Sequence, residues 1–251
     1  MLEVYLDPCT VNSRKVLAGL DLTGTEYHLN HVDYFKGEQK SEEYKKINPH
    51  ATLPAAKDGD LTITESNAIL QYIAEDHGSV YPKDAKQRCA VNRWLLWEAS
   101  VWFQSCYVYL VQYVVQPLLG AEPDQSAIDA EAPNWHKSAK ILDDQLAKTK
   151  WLTGDDVTIA DIAVAAPMHL HKATRLPLDQ YPNLERWMTE QVECLPCWQR
   201  TQTAVDKALL PGKARSNINV TANKKFESVL ISIKQPNEIS SYETEAAKVR
   251  S

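Results

Sequence analysis

Apolar and polar positions alternate in short runs through the N-terminal third of the chain and then change to a helical period, so two kinds of structure are expected in succession. Leu2-Glu3-Val4-Tyr5-Leu6 has the period of a strand and stops at Asp7-Pro8. A polar loop, Cys9-Thr10-Val11-Asn12-Ser13-Arg14, leads into a helix expected over Lys15 to Leu20. Tyr27 to Val32 predicts a second strand, and the charged segment from Lys36 to Lys46 a solvated helix. Between Leu53 and Thr64, two apolar runs flank Asp58-Gly59. That is a strong hairpin signal, because glycine accepts the positive φ of a tight turn. Pro54 at the mouth of the first run requires an edge position or a cis bond. Ser66 is expected to cap a helix over Ser66 to Ile73. The order β-α-β-α-β-β-α makes residues 1–81 an α/β unit with one antiparallel hairpin.

Residues 82–86 read as a linker, after which the period is that of an all-α domain over 87–210. A long helix is expected over 87–113, rich in tryptophan and tyrosine, ending where Pro117, Gly120 and Pro123 interrupt it. A second follows from Ile128 to Lys148, with Trp135, Ile141, Leu142 and Leu146 marking its buried side. In Thr158-Ile159-Ala160-Asp161 the threonine and the acid three residues on form a capping box, opening a core helix. Helices are also expected from about Asn183 to Val192 and from about Trp198 to Ala208. Residues 211–251 form a polar C-terminal extension with one apolar patch, Val229 to Ile233.

Composition narrows the function classes. The formal net charge is -6 without a basic stripe, which argues against nucleic acid. No apolar run reaches the length of a membrane span and no signal-peptide pattern opens the chain, so a cytoplasmic protein is expected. Five scattered cysteines do not suggest a disulfide framework. Cys194-Leu195-Pro196-Cys197 has redox spacing but lies between helices, where a structural turn is the expectation. His169-Leu170-His171 lacks a companion ligand cluster, so no metal site is expected. Asn219-Val220-Thr221 fits a glycosylation sequon that matters only on secretion.

The chemistry concentrates where the hairpin meets its helix. Free N–H groups at a helix start attract an anion, so the stretch ending at Glu65-Ser66 predicts a small carboxylate-sized pocket edged by backbone. Three motifs, Asn48-Pro49…Leu53-Pro54, Glu65-Ser66-Asn67-Ala68-Ile69 and Leu152-Thr153-Gly154…Thr158-Ile159-Ala160-Asp161, stand in the order and spacing of the cytosolic glutathione S-transferases. Residues 1 to about 208 resemble that superfamily. The resemblance implies a thioredoxin-like domain followed by an all-helical one, glutathione as co-substrate, and usually a dimer, with itself or with a relative.

Carried over by this resemblance, Glu65 and Ser66 hold the γ-glutamyl end of glutathione, and Leu53, before a cis-Pro54, pairs with its cysteinyl backbone. Gln39 and Lys40 match phi-like positions near the glycyl carboxylate, with His50 or Thr52 assisting; Thr52 stands where glutamine is common. The thiol must be ionised to attack, and lowering a pKa of 8.5 by about 2 units takes about 2.7 kcal/mol, within reach of one charge-assisted hydrogen bond and a helix N-terminus. Thr10 falls where phi- and theta-like enzymes place a catalytic serine. Thr10-Val11-Asn12-Ser13 resembles nu-type proteins, and Asn12-Ser13 resembles bacterial β-aryl etherases of the lignin pathway. Ser13, Thr10 and Asn12 are therefore the candidate thiol donors, with Tyr5 a further possibility from other classes. Trp102, Phe103 and Tyr109 on the aromatic helix are the candidate lining for a hydrophobic electrophile.

Three functions compete. The first is a glutathione transferase attacking an apolar or aromatic electrophile by conjugation, dehalogenation or ether cleavage. The second is a glutathione-dependent disulfide reductase or thiol transferase using Cys9, although such enzymes carry Cys-Pro where this chain has Pro8-Cys9. The third is a non-catalytic binding protein that retains the fold.

Overall fold

The computed structural model describes residues 1–209, which belong to one compact unit running from Met1 to Pro211. The expected extension, with its patch at Val229 to Ile233 and the sequon at Asn219, lies outside the described residues.

Strand β1 (Leu2–Leu6) is followed by helix α1 (Val11–Thr23), strand β2 (Tyr27–His31), a 3-10 turn (Glu38–Lys40) and a short helix α2 (Glu42–Lys45). Strands β3 (Ala55–Asp58) and β4 (Leu61–Thr64) form the hairpin that leads to helix α3 (Ser66–Ala74). The sheet has the order β2-β1-β3-β4, with β1 and β2 parallel and the other pairs antiparallel. Gly59 turns the hairpin at φ 56°, and the Leu53–Pro54 peptide is cis. Alternation in β1 sends Leu2, Val4 and Leu6 into the main core with Ile69 and Leu70, while Val32, Tyr44 and Ala55 form a smaller cluster with Tyr5 packed against it.

Three local expectations are corrected. Helix α1 begins at Val11 rather than Lys15, because Thr10 takes an extended conformation and its carbonyl accepts the Arg14 N–H at 2.9 Å. Asn12 and Ser13 therefore sit in the first helical turn, not in a loop. The charged segment splits at Ser41, whose hydroxyl caps α2 by accepting the Tyr44 N–H at 3.1 Å. Glu65, not Ser66, is the residue before α3, and Ser66 is its first helical residue.

The helical part opens with α4 (Ala85–Trp97), α5 (Phe103–Leu110) and α6 (Gln116–Leu118), joined end to end by π-helical turns at Glu98–Trp102 and Val111–Val115. Helix α7 (Gln125–Leu146) packs on α5, α8 (Ile159–Ala165) runs through the core, and α9 (Pro182–Arg186) continues into a π-helical turn at Trp187–Val192. Helix α10 (Pro196–Leu209) packs against α1. Ile141, expected on the buried side of α7, is 42% exposed, while Trp135 and Leu142 are fully buried. The capping box forms: Asp161 Oδ2 accepts the Thr158 N–H at 2.9 Å, and Oδ1 accepts the Leu152 N–H at 2.9 Å and the Trp187 indole N–H at 3.2 Å. Burial pushes this carboxyl up to about 6, against the pull of those donors. Cys194 is exposed and Cys197 buried, and both are free thiols. Among the described residues no group of His, Cys, Asp and Glu is arranged to hold a metal, and no helix is long and apolar enough to cross a membrane.

Candidate functional site

The N-termini of α1 and α3 open onto one cavity of about 530 Å³. Asn12 and Lys15 line it from α1, Glu65 from just before α3, Ser66, Asn67 and Gln71 from α3, and Leu96, Glu98 and Phe103 from the long helix.

Local chemistry explains the approach to it. Asn48, fully buried, donates from Nδ2 to the Thr52 carbonyl at 2.9 Å and the Thr52 hydroxyl at 3.1 Å, and its Oδ1 accepts the His50 N–H. Tyr44 adds a hydroxyl bond to the same carbonyl at 2.7 Å. Thr52 is thus fixed as a loop anchor, and Leu53 follows it half-buried and outside the ladder, which starts at Ala55. Glu65 has φ 65° and ψ 117°, a conformation costly for any residue with a side chain. It leaves the Glu65 carboxylate exposed immediately before the free N–H groups of the first turn of α3.

The three candidate thiol donors separate. Thr10 is half-buried ahead of α1, and its hydroxyl donates to Ser13 Oγ at 2.7 Å and to the Asp7 carbonyl at 3.2 Å. Ser13 is fully buried, so its hydroxyl is closed off from the cavity and reaches outward only through Thr10. Asn12 lines the cavity, and its Oδ1 is buried without a hydrogen-bond partner. The Tyr5 hydroxyl donates to Glu3 on its own strand. Cys9 Sγ–H donates to Asp7 Oδ1 at 2.9 Å, and burial together with that carboxylate pushes the thiol pKa far above its ordinary value.

Of the expected electrophile lining, only Phe103 faces the cavity, stacked on Tyr107 with ring centroids 5.3 Å apart. Trp102 is fully buried between Trp97 and Trp135, donating its indole N–H to the Val164 carbonyl at 3.0 Å. Tyr109 is 4% exposed and packs on Trp135 and Tyr113. These two are core residues. Gln39 is buried in the 3-10 turn with its amide oxygen unpartnered, and Lys40 beside it is exposed.

The residues missed in the sequence are Lys15 and Glu98. The Lys15 ammonium, 2% exposed, donates to Ser66 Oγ at 3.1 Å, Asn67 Oδ1 at 3.1 Å and Glu98 Oε2 at 2.9 Å. Asn67 Nδ2 also donates to Glu98 Oε2, at 2.9 Å, and to the Leu95 carbonyl. Burial lowers the Lys15 pKa, and the Glu98 charge opposes that shift. A lysine inside a helix carries no local mark of burial, and its partner Glu98 lies 83 residues away, so no sequence signal pointed to the pair.

A mixed four-stranded sheet of this order, with a cis proline at the start of β3 and an all-helical second part, defines the two-domain architecture of glutathione-dependent transferases. The descriptions "Glutathione S-transferase, N-terminal domain" and "Glutathione S-transferase, C-terminal domain" match residues 3–75 and 107–193. Human glutathione S-transferase theta-1 is 31% identical over 192 residues, 74% of this chain and 80% of its own. Glutathione transferase F7 of Populus trichocarpa superposes with a TM-score of 0.76 at 27% identity, covering 82% of this chain and 99% of that one. Glutathione S-transferase I from maize, solved with an atrazine glutathione conjugate, has a TM-score of 0.73 at 25% identity and covers 82% and 98%. The chain belongs to the cytosolic glutathione S-transferase superfamily.

Proposed function

We propose that the protein is a glutathione transferase that ionises the glutathione thiol and directs it at an apolar, aromatic electrophile. The observation that carries this reading is the cavity shared by Asn12, Glu65, Ser66 and Phe103, where the start of a helix, an unpartnered amide and an aromatic wall adjoin. In this reading the γ-glutamyl carboxylate sits on the first-turn N–H groups of α3 and the Ser66 hydroxyl, with Glu65 beside the amine. The cysteinyl backbone pairs along Leu53, and the glycyl carboxylate lies toward Gln39 and Lys40. The sulfur then faces the start of α1. The Thr10 hydroxyl donates to it, Ser13 Oγ–H turns to donate to Thr10, and the Asn12 amide and helix dipole favour the thiolate.

The thiolate attacks a carbon bearing a leaving group such as a halide, and the C–S bond forms as the leaving group departs with the electron pair. The bound atrazine conjugate of the maize relative is a product of the same general kind, an aromatic ring joined to glutathione. A thiol transferase using Cys9 is disfavoured, because its thiol is held protonated by Asp7 and by burial. Pairing of two copies belongs to this reading as well, supported by exposed apolar side chains at Leu96 and Val101, and sedimentation of the purified chain tests it.

The test is glutathione binding followed by turnover of an activated aryl chloride. Losing one charge-assisted hydrogen bond of about 1.5–3 kcal/mol, Thr10→Ala should lower kcat/KM by roughly 10- to 100-fold and raise the bound thiol pKa. Ser13→Ala should have a smaller effect. Wild-type rates and thiol pKa in Thr10→Ala and Asn12→Ala alike would overturn the assignment.

A further inference from the structure

Lys15 and Ser66 settle a question of polarity that neither residue answers alone. An ammonium group has three protons and no acceptor, so in the 3.1 Å contact Ser66 Oγ can only accept. All three Lys15 protons have partners, and Asn67, which also donates to Glu98, locks the ammonium from the side. Among the described residues no acceptor takes the remaining Ser66 O–H, although Ser66 is 8% exposed and borders the cavity. That proton is left to be donated into the cavity, beside the free N–H groups of α3. A second observation points to a ligand there: Glu98 borders the cavity, and its Oε1 is buried without a hydrogen-bond partner. It stands ready to accept from a cationic group.

We propose that Lys15 is a positioning residue that holds Ser66 as an outward hydrogen-bond donor, so that this end of the cavity selects a carboxylate carrying an adjacent amine. The inference rests on the glutathione reading above and adds a residue to it. Lys15 also neutralises Glu98, whose charge, left alone under low dielectric, would repel the same carboxylate.

The test compares glutathione with its analogue lacking the γ-glutamyl α-carboxylate, using Lys15→Met and the neutral double variant Lys15→Met/Glu98→Gln. The double variant keeps the site free of unpaired charge and so remains informative where the single variant does not fold. In the folded double variant, verified by circular dichroism and a cooperative melt, the Kd and KM for glutathione should rise by roughly tenfold or more, the value of one hydrogen bond to a charged group. At saturation kcat and the bound thiol pKa should change far less than KM, and affinity for the decarboxylated analogue, whose amine loses only the Glu98 charge, should fall by a clearly smaller factor than that for glutathione. Adding Ser66→Ala to the double variant should cost little more, since Lys15 and Ser66 act through one bond. Unchanged glutathione affinity in the folded double variant overturns the proposal, as does an equal loss for both peptides, which would mark Lys15 as purely structural. Failure of the wild-type chain to bind glutathione at all is a separate result, and it overturns the functional reading together with this one.

Discussion

Arg14 and Lys15 follow one another on α1 and both are buried, yet they face different parts of the molecule in different company. Among the described residues no carboxylate bonds to Arg14. Its Nε donates to Thr201 Oγ1 at 2.8 Å and its Nη2 to Gln202 Oε1 at 2.6 Å, while the guanidinium lies 4.4 Å from the Trp198 ring centroid. A delocalised, weakly hydrated cation tolerates such neutral surroundings better than an ammonium does. Burial brings its pKa down to about 10, with Glu193 and Asp206 pulling it back, so it stays charged at neutral pH. Lys15, a compact charge, is paired with Glu98 and spends its other protons on Asn67 and Ser66. One cation fastens α1 to α10; the other belongs to the cavity. The difference shows that the partner, not burial, separates a structural charge from one that shapes a site.

The sharpest way to break this contrast is to remove the partner of one cation. Glu98→Ala leaves a buried ammonium unpaired and should cost about 3–5 kcal/mol in urea unfolding at pH 7. Since the folded state then releases the Lys15 proton more readily than the unfolded chain, whose lysines titrate near 10.4, part of the loss should return as pH rises through that window. The wild type should show a shallower rise, because Glu98 opposes the downward shift. A variant whose stability is flat from pH 7 to about 10 would mean that Lys15 is not the destabilised charge.

Arg14→Met should cost less, about 2–3 kcal/mol, because it strands only neutral acceptors. Calorimetry on the folded variant should find glutathione affinity unchanged, and a large loss of binding would erase the distinction between the two cations. A smaller effect is expected at His169, whose carbonyl accepts from Arg14 and whose ring is buried with Nδ1 unpartnered. Burial and the Arg14 charge hold this imidazole down to about 3, so the folded state resists a proton that the unfolded state takes near 6.5. Stability is therefore lost as pH falls below that value. His169→Phe should recover about 1–2 kcal/mol of the loss between pH 6.5 and 5, read from denaturation curves at the two pH values.

The signals legible in the chain were local ones. Asp58-Gly59 marked the hairpin, Pro54 the special bond and Thr158 with Asp161 the core helix start, because each signal is contained within a few residues. Side-chain partners brought together by folding were not legible, and Lys15 is the plainest case. The long aromatic helix misled for a different reason. A π-helical turn inserts a residue and rotates the downstream side chains by about 100° relative to a regular α-helix. With such turns at Glu98–Trp102 and Val111–Val115, one helical period cannot describe 87–113. Trp102 and Tyr109 accordingly fall into the core, while Phe103 reaches the cavity.

Glu65, with its positive φ, has a consequence for how the protein can change over time. Replacing it with glycine would relax the backbone and should stabilise the isolated fold by a fraction of a kcal/mol up to about 1. A screen for thermal tolerance alone would drift toward glycine at this position, whereas a screen that also demands ligand binding would hold the acid. The two selections should diverge first at this residue, which makes it a natural marker for whether a variant lineage is being kept for its activity or only for its fold.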